Sequence, residues 1–318
     1  MDPCSKSLFA GIIDYAGLFP PARLPMDQAW VRYLEHRDSN AGWMLARFVC
    51  PATRLDELEL LLGDVATELA PPSLSILGRG GDTLDEFLEG TDQDAAAIRG
   101  FVSRNPGLVT ADAFEVKLPQ AGGVAVAVES AWRRLTDNGS TPMTPYFEVS
   151  LLGDWRPRLP AAAAAVRDTD RDATPPERVG LKIRCGGLRA EEVPEPMAVA
   201  AAIATCRATR IPLKATQGLH HPYRHHDPGL DTAVHGFVNL FVASVLAQTH
   251  DLPVAQLAEI VAEEETEAFA FTPDMIGWRY HTASADEVAE ARRELLTSFG
   301  SCNFSAPRDD LKDLDLID

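Results

Sequence analysis

Strand-length apolar runs alternate with longer helical segments along most of this chain, and that alternation constrains the fold more than any single motif does. The runs begin near Met44 (MLARFVC), Leu74 (LSILGR), Ala113 (AFEVKLP), Pro145 (PYFEVSL), Val179 (VGLKIRC), Ile211 (IPLKAT), Ala268 (AFAFTP) and Phe299 (FGSCNF). Helical periodicity fills the intervals from Arg54 to Ala70, Leu84 to Ser103, Val124 to Asn138, Pro194 to Thr209, Thr232 to Thr249 and Ala285 to Ser298. Eight βα units in about 270 residues match the size of a (β/α)8 barrel of the α/β class. An open doubly wound sheet is the alternative, but no GxGxxG follows an early strand. The expected organisation is a barrel domain over 44–318 preceded by a short N-terminal extension, 1–43. That extension holds GIIDYAGLFPPARLP and an amphipathic helix from Met26 to His36. It reads as a plug for the barrel floor, with Asp14 and Tyr15 as outlying candidates for the site.

Composition narrows the partners. With 318 residues and 46% apolar content, the chain can bury one large core. Forty-seven acids against 29 Lys and Arg give a formal charge of -18, a field that repels nucleic-acid phosphates and anionic membrane surfaces. No run approaches the roughly 20 apolar residues of a membrane span. The opening MDPCSKSLFAGIIDYAG is a poor signal peptide, because Asp14 soon interrupts its short apolar stretch. Cys4, Cys50, Cys185, Cys206 and Cys302 are odd in number and form no CxxC pair, so reduced thiols and a cytoplasmic location are expected. Barrels often associate through their outer helices, which leaves a homo-oligomer open.

Strand parity then selects the interior. In the run at Ala113, Phe114, Val116 and Leu118 form the apolar face, which turns Glu115 and Lys117 inward. The same count turns Tyr146, Glu148 and Ser150 inward in the next run, Lys182 and Arg184 in VGLKIRC, and Lys214 and Thr216 in IPLKAT. Four successive strands thus aim two carboxylates and four cations at one volume near their carboxyl ends, where barrel enzymes place their chemistry. The ordinary alternative is a closed ion network that only stabilises the barrel. The surplus of cations calls for an anionic partner, a small metabolite carrying phosphate or carboxylate.

A second constellation is GLHHPYRHHDPG, which places His220, His221, His225, His226 and Asp227 at the barrel mouth. Imidazoles beside an aspartate suit a divalent metal or a proton shuttle, although the spacing matches no established ligand motif and a polar loop explains it as well. His235 and Asn239 lie one helical turn apart and are candidates for substrate contact, or for an ordinary helix start. Gly300, Ser301 and Asn303 are candidate anion donors after the last strand, with a tight turn as the plain reading. By parity Cys185 and Cys302 face the helices and read as packing residues.

The segments KIRCGG and KATQGL resemble the lysine-bearing strand ends of class I aldolases of the deoxyribose-phosphate type. In that family one lysine forms a Schiff base and a neighbouring ammonium lowers its pKa. The resemblance covers some twelve residues and departs from the family in two ways. The lysines fall on the fifth and sixth expected strands instead of the sixth and seventh, and the family's aspartate is absent from the strand holding Glu148. Over most of its length, through DYAGLFPPA, LKIRCGG, LKATQGLHHP and FGSCNF, the chain is also similar to a family of bacterial proteins of unassigned function.

Three functions follow as expectations. The favoured one is a lyase that needs no cofactor: Lys214 attacks a carbonyl, Lys182 and Arg184 keep it deprotonated by repulsion, Glu148 moves the proton, and His220 or His221 assists. Arg184, Lys117, Glu115, Thr216, His235, Asn239, Ser301 and Asn303 would bind the substrate. The second is a metal-dependent lyase or hydrolase built on the histidine loop. The third is a non-catalytic barrel that binds an anionic metabolite.

Overall fold

The computed structural model describes residues 2–64, 70–120, 122–136, 143–170 and 178–318, and it closes eight parallel strands into a barrel. In chain order the barrel strands are β1 (Ile13–Tyr15), β2 (Leu45–Pro51), β3 (Ser73–Leu77), β4 (Thr110–Lys117), β5 (Thr144–Glu148), β6 (Gly180–Arg184), β7 (Leu213–Thr216) and β8 (Leu296–Ser301). Each pairs with its sequence neighbours, and β8 returns to β1 through Ile13↔Phe299 and Tyr15↔Ser301.

Two of these assignments correct the sequence reading. Residues 1–43 are not an extension outside the barrel, because Ile13–Tyr15 is its first stave, paired with both β2 and β8. The run at Ala268 is extended over Phe269–Phe271, but it pairs antiparallel with Met275–Trp278 in a separate sheet completed by His281–Ser284. The total of eight staves therefore stands with one member exchanged.

The outer helices form where periodicity and caps coincide. Leu84–Arg104 starts with a capping box in which Thr83 Oγ1 accepts from Glu86 N–H and the Glu86 carboxylate accepts from Thr83 N–H. Ser284 and Glu287 repeat this at Ala285–Glu294. Thr232–Val234 is extended instead of helical and pairs with His225–Asp227, so the next helix is Phe237–Thr249. That helix is buried all round from Phe237 to Ala247, because Val254–Ala262 packs on its outer side; Phe237 stacks on Phe299 at 5.0 Å between ring centroids. In the interval from Arg54 to Ala70 the helix covers Leu55–Glu59, with 65–69 outside the described residues. Val124–Thr136 bears out the next helix up to 136, its expected last two positions lying outside them as well.

Strand alternation holds where the site is built. Phe114, Val116, Leu181, Ile183, Leu213 and Ala215 are buried in the layer between strands and helices. Glu148, Lys182 and Lys214 are successive partners across β5, β6 and β7, so one row of the barrel wall carries all three charges.

Candidate active site

An unbroken series of ion pairs crosses the barrel interior. Lys214 Nζ lies 2.7 Å from Asp14 Oδ2, 3.1 Å from Ser75 Oγ and in direct contact with Glu115 Oε1. The other oxygen of Glu115 is 2.7 Å from Lys182 Nζ, which also lies 3.0 Å from Glu148 Oε2. Glu148 Oε1 then accepts from Arg184 Nε at 2.7 Å. Asp14 is completed by the Arg47 backbone N–H at 3.0 Å and the Ser298 hydroxyl at 2.5 Å, both donating to it. Charges this deeply buried persist because each carboxylate meets cations and hydroxyl or amide donors together.

The two lysines differ in one respect. Lys214 is enclosed by three acceptors, donating to Glu115 and Ser75 and pairing with Asp14, with 0% of its surface exposed. Lys182 has two acceptors among the described residues, Glu115 and Glu148, is 4% exposed, and lines a cavity of about 150 Å³ at the carboxyl ends of the strands. Lys214 does not line that cavity. The expected nucleophile is thus sealed beneath the site, and its neighbour faces it.

Electrostatics removes the expected repulsion as well. Burial alone would lower the Lys182 pKa, but Glu115 and Glu148 outweigh it and raise the pKa above the usual lysine value. Burial alone would raise Glu115; Lys182 and Lys214 overcome it and hold that carboxyl below the carboxylate range. Glu148 is likewise lowered against burial, by Lys182 and Arg184. Each ammonium touches two carboxylates, and at Lys182 these carboxylates outweigh every opposing influence.

The cation surplus shrinks. Asp14 joins Glu115 and Glu148, giving three carboxylates, while the cations at the network are Lys182, Lys214, Arg184 and Arg47. Lys117, expected inside, is exposed and does not line the cavity, because it ends β4 where the stave leaves the wall. Arg184 is the accessible cation: its side chain is 51% exposed, and its outer edge reaches Gln217 Oε1 at 3.4 Å.

The loops after the strands shape the cavity. Gly186 and Gly218 pack backbone against backbone, such that a Cβ on Gly186 would lie 2.8 Å from the Gly218 Cα. Between β7 and that contact, Gln217 adopts φ 59°, a left-handed conformation costly for a residue with a side chain, and it sits beside Arg184. Phe19, Pro20 and Pro21, from the DYAGLFPPA segment after β1, form an apolar wall with Leu188. Thr216 and His220 line the cavity too, and burial lowers the His220 pKa, helped by His221 and opposed by Asp227.

Several sequence candidates fall elsewhere. His221 bonds Asp310 Oδ2 at 2.6 Å and packs edge-on against His225, whose Nδ1 lies 3.0 Å from the Tyr223 carbonyl. His226 points to Asp231 at 3.5 Å, and Asp227 accepts from the backbone of Gly229 and Leu230. The proposed metal set therefore disperses along the loop, and no group of three or more His, Cys, Asp or Glu side chains converges as a metal site among the described residues. His235 is buried, its Nε2 2.7 Å from the Pro194 carbonyl and its Nδ1 3.3 Å from Arg224 Nη1. Asn239 accepts from Arg224 N–H and donates to the carbonyls of Ile260 and Glu263. Both residues pin the loop to the outer helices instead of contacting substrate. Ser301 donates to the Asn303 carbonyl, Asn303 Oδ1 accepts from the backbone of Ser305 and Ala306, and neither residue lines the cavity. Cys185 is packed as expected, whereas Cys302 lines the cavity, with burial pushing its thiol pKa up.

Asp14 was a marginal candidate and proves central; Ser75 and Ser298 were missed. An acid inside the apolar run GIIDYAG is the same signal the lysines gave, but three residues are too few for parity to be read. Counting β1 also moves Lys182 and Lys214 onto the sixth and seventh staves. No family model, curated protein or solved structure matches this chain. No helix among the described residues is long and apolar enough to cross a membrane.

Proposed function

We propose that this chain is an enzyme of the lyase type that forms an imine between Lys182 and the carbonyl of a small anionic metabolite. The observation that carries the reading is that Lys182, with two acceptors among the described residues, lines the cavity, while Lys214, enclosed by Asp14, Glu115 and Ser75, does not. The placement of both lysines on the sixth and seventh staves is the one that the aldolase resemblance implies.

Imine formation needs a free amine, and Glu148 with Arg184 supplies a route to one. An anion entering the cavity draws the half-exposed Arg184 away from Glu148 Oε1. Glu148 then loses one of the two cations that lower its pKa and becomes basic enough to take the Lys182 proton. The free amine adds to the carbonyl carbon; Glu148 returns its proton to the oxygen, takes a second proton from the adduct nitrogen and passes that one on as well, so the C–O bond breaks and water leaves with both protons as the iminium forms. Lys214, one position across in register, holds the shared partner Glu115 in place beneath the site. His220, half-buried at the mouth with a lowered pKa, is the second proton carrier.

Borohydride reduction in the presence of small aldehydes and ketones tests this, with the adduct located by peptide mapping. The expected label is on Lys182 and disappears in Lys182→Arg, which keeps the charge and the fold. Labelling of Lys214, or none with any carbonyl compound, overturns the assignment.

A further inference from the structure

Resting on the imine reading of the same cavity, we infer that the substrate is a short oxo acid, with its carboxylate one or two carbons from the reacting carbonyl and held by Arg184. Lys182 and Arg184 grip the two oxygens of a single carboxylate, at 3.0 Å and 2.7 Å. Lys182 Nζ and Arg184 Nε are therefore no farther apart than two hydrogen bonds and the width of one carboxyl group. A ligand that engages both must carry its anion at that spacing from its carbonyl. A sugar phosphate, whose phosphate lies several bonds from the carbonyl, is the rival substrate class.

The cavity suits the same scale. At about 150 Å³ it has the size that accepts a ligand of about six non-hydrogen atoms, the number in a three-carbon oxo acid. The guanidinium suits a carboxylate geometrically: it already pairs with that of Glu148 at 2.7 Å, and its half-exposed side chain lets a substrate carboxylate take over the contact. Arg184 follows Lys182 by two residues on one stave, so both side chains leave the same face, with the arginine nearer the mouth. The carbonyl then goes in first and the carboxylate stays at the entrance. Phe19, Pro20, Pro21 and Leu188 leave a hydrocarbon wall for the remainder of the substrate or for the second reactant.

Three probes of similar size separate the alternatives: pyruvate, its neutral analogue pyruvamide, and glycolaldehyde phosphate. Pyruvate is expected to half-saturate borohydride labelling at a concentration about tenfold below that of pyruvamide, the usual worth of a charge-assisted pair. Arg184→Gln should erase that preference and Arg184→Lys restore part of it. Equal labelling by pyruvate and pyruvamide, or half-saturation by glycolaldehyde phosphate at the lowest concentration, overturns the substrate class and leaves the imine intact. Calorimetric titration with the same probes separates the two claims from the other side. Pyruvate binding that depends on Arg184, with no label on Lys182, sinks the imine and keeps the oxo acid.

Discussion

The charges inside the barrel come from five different staves, yet Asp14, Glu115, Glu148, Lys182 and Lys214 join in one continuous set of contacts. The histidines at 220, 221, 225 and 226 are near neighbours in sequence, yet they attach to the cavity rim, the C-terminal helix, a backbone carbonyl and a surface aspartate in turn. Parallel strands in register stack their inward side chains at fixed spacing, so residues far apart in the chain converge. A loop has no such repeat, and each of its side chains finds the nearest partner. Density of titratable residues along a sequence is therefore weaker evidence of a site than their placement on adjacent staves.

The largest expected effect breaks this comparison directly. Lys214→Met leaves Asp14 and Glu115 buried with a cation missing, and losing one partner of a buried ion pair costs about 3–5 kcal/mol. His226→Ala, at the exposed end of the loop, should cost less than about 0.5 kcal/mol. Urea unfolding of the two variants checks both figures; matching midpoints would erase the distinction between interior and loop.

Next comes the pH profile of the network. Glu115 and Glu148 have folded pKa values below their unfolded ones, so their contribution is complete above the ordinary carboxylate value of about 4.3 and is lost as pH falls through the folded values. Lys182 is raised, so its contribution is complete below about 10.4 and is lost as pH rises through its folded value. Stability should therefore be flat between those limits as far as these groups are concerned. Glu148→Gln should unfold less steeply with acid than the parent; an unchanged acid slope would show that this carboxylate is not depressed.

His235 sharpens the contrast, because it belongs to the loop by sequence and to the interior by burial. Its pKa is pushed down to about 4, chiefly by burial, with the Pro194 carbonyl opposing and Arg224 assisting. The unfolded chain takes up a proton near pH 6.5 while the folded one does not, so stability declines by about 1.4 kcal/mol per pH unit from there down to the folded value. His235→Gln should remove that decline between pH 7 and 5 in urea titrations. Persistence of the full slope would place its origin in another group.

The smallest effect is at His221→Ala, which breaks a half-exposed pair with Asp310 worth about 0.2–1 kcal/mol. Its thermal midpoint should shift by no more than a few degrees, and a larger shift would mean that the C-terminal helix depends on this contact.

The legible part of the site was the part written in strand alternation. Glu115, Glu148, Lys182 and Lys214 were placed inside because each interrupts an apolar run at the inward parity, a local property. Asp14 obeys the same rule, but its stave has only three residues and is held by β2 and β8, whose nearest partners lie about thirty and nearly three hundred positions away. The AFAFTP run shows the reverse: its extended conformation was readable, but its antiparallel partner Met275–Trp278 took it out of the barrel.

By itself, the sequence determined that eight βα units would build a barrel and that acids and lysines would share its interior, since backbone periodicity and the cost of burying charge are written residue by residue. Tertiary structure decided which segment closed the barrel, that Lys214 would be sealed by Asp14, Glu115 and Ser75, and that Lys182 would line the cavity. Those outcomes depend on pairings and contacts between distant staves, and no local pattern encodes which of two inward lysines reaches the cavity.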